Sequence, residues 1–446
     1  MLLLLIFVLR CVIISGIKYK LRMEVVSCFN MSELTKKSAA AKKASQDLIS
    51  VSTITKNNAL KGIAAALVDY ADVIIEANKL DIENARNNGV REAMIERLML
   101  TKDRIKAISD GVLEVMALND PIGEIINMTK RPNGLMIGKK RVPMGVIGII
   151  YEARPNVTVD AAVLCLKTSN ACILRGGSEA INSNKAIMKI MQEAAYSCGI
   201  PKGALNIVED TSRETATELM RMNGYIDMLI PRGGKGLIKS VVENATVPVV
   251  ETAAGNCHVY VDRYADFEMA KEIVMNSKVQ RPSVCNAAET LLIDKGIAHD
   301  FVPENFKSLQ DAGVEIRADS EAMKIYSENV ILATDEDYYT EYNDYIISVK
   351  LVDGVDEAIC HINEHNTKHS EAIITNSYDN AQKFLNEVDA AAVYVNASTR
   401  FTDGYEFGFG AEIGISTQKM HARGPMGLEA LTSIKYVVYG SGQVRK

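Results

Sequence analysis

Between residues 145 and 250 the chain alternates, at nearly even spacing, between short apolar runs and longer stretches of helical periodicity. The apolar, β-branched runs fall at 146–151, 171–175, 205–208, 226–230 and 247–250. Segments 160–168, 182–198, 213–222 and 235–244 separate them, and Gly199 with Pro201 closes the second in the manner of a helix end. Parallel strands need a long crossover, usually a helix, whereas a tight turn returns the chain antiparallel. The rhythm therefore predicts a doubly wound α/β domain with helices on both faces. Sheets of this kind take ligands beyond the carboxyl ends of their strands.

A second series follows, with strands expected at 257–261, 288–293, 330–333, 346–352, 372–375 and 391–395 and helices at 266–278, 297–313, 355–364 and 380–388. A chain of 446 residues exceeds one compact core, so a second α/β domain is expected there. Residues 32–119 read as helical throughout. Residues 121–143 set Arg131-Pro132-Asn133-Gly134 between two strand-like runs, which is a hairpin signal. A lone hairpin is marginal in water, so it should pair with another subunit or with the late run at 434–439. After Asn396 the chain turns glycine-rich and irregular.

The first 17 residues are apolar but short for a membrane span, and no basic stretch precedes them. Met31-Ser32-Glu33-Leu34 reads as a start followed by a helix cap. Residues 1–31 are expected to be an extension outside the fold, with a membrane anchor as the rival reading. A net charge of −6 gives no basic field for nucleic acid, and an anionic ligand would need local positive groups. The eight cysteines lie far apart with no C-x-x-C pair, as expected of reduced thiols in the cytoplasm.

One of these thiols is singled out by its place. In Gln280-Arg281-Pro282-Ser283-Val284-Cys285, Pro282 stops the preceding helix, and a strand opens near Ala288. Cys285 thus sits on a short connector that exposes it while rigid flanks aim it. It is a candidate nucleophile, or else a small core residue. Two turns, Arg175-Gly176-Gly177-Ser178 and Arg232-Gly233-Gly234-Lys235, follow strands of the first domain. Their glycines and helix starts suit phosphate, although neither matches G-x-G-x-x-G and both are readable as tight β–α turns. Asn156, after the first strand, is an oxyanion donor or a helix cap. Glu251, directly after a buried run, is a general base, a ligand contact or a cap. His361, His365 and His369 lack partners for a tetrahedral set, so no metal is expected.

Together these features resemble the aldehyde dehydrogenase superfamily. Four stretches look like the gamma-glutamyl phosphate reductase family within it: Tyr151-Glu152-Ala153-Arg154-Pro155-Asn156-Val157-Thr158, then Glu251-Thr252 with Gly255-Asn256-Cys257-His258, then Val279 to Pro282 with Cys285-Asn286-Ala287-Ala288-Glu289-Thr290-Leu291, and His421-Ala422-Arg423-Gly424-Pro425-Met426-Gly427-Leu428. The resemblance runs from about Ser32 to the carboxyl end. It implies an aldehyde dehydrogenase-like α/β fold of two doubly wound domains plus a small β-hairpin oligomerisation element. Residues 32–120 and 144–253 would bind NADP, 254–396 would be catalytic, 397–431 would line the cleft, and 121–143 with 432–446 would form the oligomerisation element.

The resemblance further implies NADPH-dependent reduction of L-glutamyl 5-phosphate to L-glutamate 5-semialdehyde in proline biosynthesis. Cys285 would form the thioester, with Asn156 and the Cys285 backbone N–H as oxyanion donors. Glu341 matches the glutamate that holds the nicotinamide ribose, and Glu251 the one that activates water in oxidising relatives. Ser178 falls where NAD-using relatives carry a ribose-binding glutamate, which with Arg175 nearby implies NADP(H). Arg154, Arg281, Arg400 and Arg423 are candidates for the substrate anions, and Asp403 and Glu412 for its ammonium; each is alternatively an interdomain ion pair. The chain departs from the family at His365-Asn366-Thr367-Lys368-His369, where Asn366 stands in for a glycine of positive φ. The implied partners are a second copy, as a dimer or tetramer, and a glutamate 5-kinase. Rival readings are an ordinary aldehyde dehydrogenase acting on a small aldehyde, and a non-catalytic ligand-binding relative.

Overall fold

The computed structural model describes residues 32–445 other than 91, 153 and 253, so the expected extension at 1–31 lies outside the described residues. The chain opens on helices Glu33–Leu48, Thr53–Asp69, Ala71–Asn87 and Lys102–Ala117. Ser32, Ser52 and Thr101 start three of them, each accepting the backbone N–H three residues on. Then β1 (Ile125–Lys130) and β2 (Met136–Pro143) form an antiparallel hairpin. Its turn ends on Gly134 at φ +88°, the conformation for which glycine was expected.

The first parallel sheet follows: β3 (Val146–Tyr151), β4 (Ala171–Arg175), β5 (Leu205–Ile207) and β6 (Met228–Arg232), in the order β5-β4-β3-β6. Every residue of β3 is buried, as a central strand covered on both faces requires. The run at 247–250 does not become a full strand. Val249 makes a single bridge to Leu229, and Pro248, which has no N–H, offers only its carbonyl, to Leu229 N at 2.8 Å.

The second sheet holds β7 (Cys257–Val261), β8 (Ala288–Asp294), β9 (Glu315–Ala318), β10 (Val330–Leu332), β11 (Ile346–Val352), β12 (Ser370–Ile374) and β13 (Ala392–Val395). All pairs are parallel, in the order β10-β9-β11-β8-β7-β12-β13. Sequence periodicity misses β9 because Glu315-Ile316-Arg317-Ala318 is short and mixes charge with apolar residues. Only Ile316 and Ala318 face the core. After a two-stranded pair, β14 (Ile415–Ser416) with β15 (Gly424–Pro425), the chain ends on β16 (Thr432–Tyr439). This strand lies antiparallel on β2, from Thr432 opposite Pro143 to Tyr439 opposite Met136. The late run at 434–439 therefore covers one edge of the hairpin. Ala411, Ile413, Ala422, Met426, Leu428 and Leu431 share the core of the first sheet, whereas the cores on the two faces of the second sheet draw on residues 259–395.

A buried ion pair braces the joint between helix Phe267–Val279 and β8. Lys278 Nζ lies 2.6 Å from Glu289 Oε2, with both side chains wholly buried, and Asn343 N donates to the other oxygen at 3.2 Å. Burial outweighs the mutual attraction: it lowers Lys278 and lifts Glu289 to about 7. Lys278→Ala would strand a carboxylate in the core and is expected to cost about 3–5 kcal/mol, seen as an earlier urea transition. Converting both residues to methionine should recover most of that loss; equal destabilisation by the single and double variants would refute a role for the pair itself.

Candidate active site

Cys285 is half-buried on the turn between Val279 and Ala288, just before β8. Its neighbours Gly255 and Cys257 come from the start of β7. The amino ends of two second-sheet strands thus meet the carboxyl ends of β3 and β6, where Arg154 follows the first and Arg232 ends the second. The candidate cleft lies at the carboxyl edge of the first sheet and at the amino edge of the second.

The connector is clamped. Gly255 lies so close that a Cβ there would fall 1.3 Å from the Cys285 carbonyl oxygen. Cys257 Sγ donates to that same carbonyl at 3.2 Å, and Gly255 N donates to Glu341 Oε1 at 2.7 Å. On the other side, Asn286 Nδ2 donates to the carbonyls of Arg400 (3.1 Å) and Thr402 (3.0 Å), and Thr399 Oγ1 donates to Asn286 O at 2.7 Å. The Arg400 guanidinium bonds Asn286 Oδ1 and, through Nε, Gln280 Oε1 at 3.0 Å. The return segment therefore fixes the cysteine backbone.

The surrounding charge is unusual. Burial pushes the Cys285 thiol up to about 11; Arg232 opposes this, while Glu412 and Glu341 add to it. Arg154 and Arg400 are lowered by burial first, and Arg281 presses on both. Among the described residues none of Arg154, Arg232, Arg281 and Arg400 joins a salt bridge, although their charges act on one another or on the thiol. Glu412 is lifted to about 7 by burial and then by Asp403, against Arg232; its Oε2 accepts Gly404 N at 3.1 Å. The structure thus brings Cys285, Arg154, Arg232, Arg281, Arg400, Asp403, Glu412 and Glu341 together.

Other expected residues lie elsewhere or face differently. Arg232 does not serve the glycine turn that it opens: as the last residue of β6 it reaches into the cleft, beside Gly414 and the thiol. Arg423 is taken by Asp389 at 2.7 Å, which also holds Lys419, so it is an ion-pair residue and not a free anion contact. Glu251 is tied by its backbone to Gln418 and is not among the groups that chiefly shift the thiol. Asn156 lies on the first turn of helix Pro155–Lys167, its Nδ2 donating to Asp160 Oδ2 at 3.1 Å. It does not cap that helix, whose N-cap is Arg154. Positive φ in the 365–369 turn falls on Lys368 (+64°), while Asn366 is extended at −71°. His361 and His365 stack at 4.0 Å, and His369 turns toward Cys257. No group of three or more His, Cys, Asp or Glu among the described residues is arranged to hold a metal ion.

The two glycine turns accept the phosphate reading in part. Arg175 gives Nη2 to the carbonyls of Thr211 (2.5 Å) and Ser212 (3.0 Å), and its Nε is buried without a partner. Gly176 packs tightly, since a Cβ would lie 2.4 Å from Asn184 Nδ2; Gly177 is buried and Ser178 exposed. At Gly233 a Cβ would collide with Glu152, whose carboxylate accepts Gly234 N at 3.0 Å. An anion already rests at the start of helix Lys235–Asn244, so that helix start is shaped for negative charge. Glu152 and the close approach of Gly255 were not expected from sequence. Asp160 was readable in principle, four residues after Asn156 in a helix opened by Pro155.

The model of the aldehyde dehydrogenase family matches residues 23–323 and 340–437. Gamma-glutamyl phosphate reductase of Caldicellulosiruptor bescii is 61% identical over 419 residues, 93% of this chain and 100% of that protein. The enzyme of the same name from Clostridium botulinum (strain Alaska E43 / Type E3) is 60% identical over 415 residues, again 93% and 100%. The crystal structure of gamma-glutamyl phosphate reductase from Thermotoga maritima superposes with a TM-score of 0.91 at 49% identity, covering 93% of this chain and 100% of that one.

Proposed function

The chain belongs to the aldehyde dehydrogenase family, within its gamma-glutamyl phosphate reductase branch, and on that premise we propose that it reduces L-glutamyl 5-phosphate to L-glutamate 5-semialdehyde with NADPH, releasing phosphate, in proline biosynthesis. The observation that carries this is the set of arginines around one thiol that, among the described residues, form no salt bridge, with Asp403 and Glu412 beside them. Arg154, Arg281 and Arg400 complement a phosphate and a carboxylate, since guanidinium binds both in bidentate fashion. Glu412 and Asp403 complement an ammonium. A substrate carrying all three groups would satisfy the site.

Cys285 acts as the nucleophile. Arg232 is the charge that favours its thiolate, whose attack on the acyl carbon expels phosphate and leaves a thioester. Asn156 and the Cys285 backbone N–H donate to the oxyanion of that step. When bound, the nicotinamide cofactor supplies the hydride that converts the acyl carbon to an aldehyde. Arg175 and the Gly176-Gly177-Ser178 turn would hold its 2′-phosphate side and Glu341 its nicotinamide ribose, and the Gly233-Gly234 turn would take its pyrophosphate once Glu152 releases Gly234 N. Glu251 has no step to perform, because no water is activated.

The ordinary aldehyde dehydrogenase reading requires Glu251 to act at the thiol, and it is not among the charges that chiefly shift that thiol. Run in reverse, the enzyme is expected to oxidise glutamate 5-semialdehyde with NADP only when inorganic phosphate is present. Comparable oxidation to the free acid without phosphate would favour that second reading. We place the enzyme in the cytoplasm. No helix among the described residues is long and apolar enough to cross a membrane. Ile125, Ile126 and Met128 on β1 and Ile434, Tyr436 and Val438 on β16 are exposed, and we assign them to contact with a second copy, as a dimer or tetramer. A glutamate 5-kinase is the partner that would hand over the labile acyl phosphate.

A further inference from the structure

Asp160 has no structural employment on its own helix. It is the sixth residue of helix Pro155–Lys167, beyond the free N–H groups of the first turn, so it does not cap it. The helix that continues behind it is buried and mostly apolar, from Ala161 to Lys167. Asp160 forms no salt bridge among the described residues, and its side chain makes one hydrogen bond, accepting Asn156 Nδ2 at 3.1 Å. The other charged group acting on it is Arg232, from the end of β6. A carboxylate half-removed from water, with one amide as its partner, is costly to keep unless that amide matters.

We propose that Asp160 is a positioning residue for the reaction: it fixes the orientation of the Asn156 side-chain amide. A carboxamide is nearly symmetric in shape, and turning it by half a revolution exchanges its N–H₂ and C=O ends. An ionised carboxylate can only accept, so it admits just the orientation that puts Nδ2 against it. The spacing of four residues on one helical face stacks the two side chains, so this selection needs no other element. One N–H of Asn156 is then spent on Asp160, and the second stays available to an oxyanion. Turned over, the amide would set its carbonyl oxygen against the developing negative charge. The proposal rests on the reading of Asn156 as an oxyanion donor.

A double-mutant cycle separates this role from a structural one. Asn156→Ala is expected to lower kcat by about 10²–10³-fold in the phosphate-dependent oxidation of glutamate 5-semialdehyde, as loss of an oxyanion donor does. Asp160→Asn, which keeps the shape but can donate as well as accept, should lower kcat by about tenfold or more with KM changed less than about twofold. In the Asn156→Ala background the same change should cost nothing further, because there is no amide left to orient. Multiplying losses in the double variant, or an unchanged kcat in Asp160→Asn while Asn156→Ala is impaired, would overturn the positioning role. Full activity of Asn156→Ala would instead overturn the oxyanion reading on which it rests. Asp160→Ala, whose thermal midpoint and NADP affinity report folding independently of turnover, guards against a merely misfolded variant: a slow enzyme with both values unchanged supports the proposal, and a kcat loss matched by their collapse counts against it.

Discussion

Cys285→Ala should abolish phosphate-dependent turnover, lowering kcat by at least about 10³-fold, while NADP affinity and the thermal midpoint stay close to those of the unmodified enzyme. Cys257, the other thiol at the site, is wholly buried and donates its S–H to the Cys285 carbonyl. The pH dependence of alkylation gives a second check. Burial lifts the free-enzyme thiol to about 11, so the reactive thiolate becomes more abundant as pH rises toward that value. Iodoacetamide labelling of Cys285, followed by peptide mass spectrometry, should climb about tenfold per pH unit from 7 to 9, where an unperturbed thiol would level off. A plateau below pH 9 would mean that the arginines outweigh burial in the free enzyme. Retained turnover in Cys285→Ala would remove the nucleophile assignment altogether.

The second large effect is expected at a residue that takes no part in the chemistry. Gly255→Ala would place a methyl group 1.3 Å from the Cys285 carbonyl oxygen, a distance at which no accommodation is possible without moving one backbone. The strand start at β7 is anchored by Asn256, whose Nδ2 donates to the carbonyls of Tyr338 (2.7 Å) and His365 (2.9 Å). The cysteine connector would therefore yield. A displacement of about 1 Å at a nucleophile can cost on the order of 10²-fold in rate. We expect kcat for Gly255→Ala to fall by at least about that factor, with the overpacking itself costing about 1–3 kcal/mol of stability. Near-normal turnover would show that the 255–257 segment can give way without disturbing the thiol.

The parts of the molecule that could be read from sequence share one physical origin. The strands at 146–151, 257–261 and 346–352 are apolar because both faces of a parallel sheet are covered, and such runs stand out. The strand at 315–318 lies near the sheet edge, where half its residues face outward, and its pattern dissolves into the background. Cys285 was legible from Pro282 and the strand after it, since both act locally. Asn156 was legible as a polar group just after the first strand, whereas resemblance to a known family, not spacing, singled out Glu341. What stayed hidden depends on where side chains point after the chain has folded. Nothing local says that Arg232 turns from its glycine turn into the cleft, that Arg423 spends its charge on Asp389, or that Glu152 settles on Gly234. Each of these joins segments more than thirty residues apart or depends on which way the last residue of a strand turns.

The core of the first sheet has an implication for how the protein comes into being. That core is closed by Ala411 to Leu431, near the end of the chain, and the hairpin edge is covered only by Thr432–Tyr439. The residues of the second sheet's cores, 259–395, form one continuous insert between these distant halves. During translation the insert can complete its own interior while the earlier sheet still waits for the late residues that close its core. The part made first is thus finished last. Nascent chains halted before residue 411 should hold a protease-resistant insert beside an amino-terminal half that chaperones still recognise.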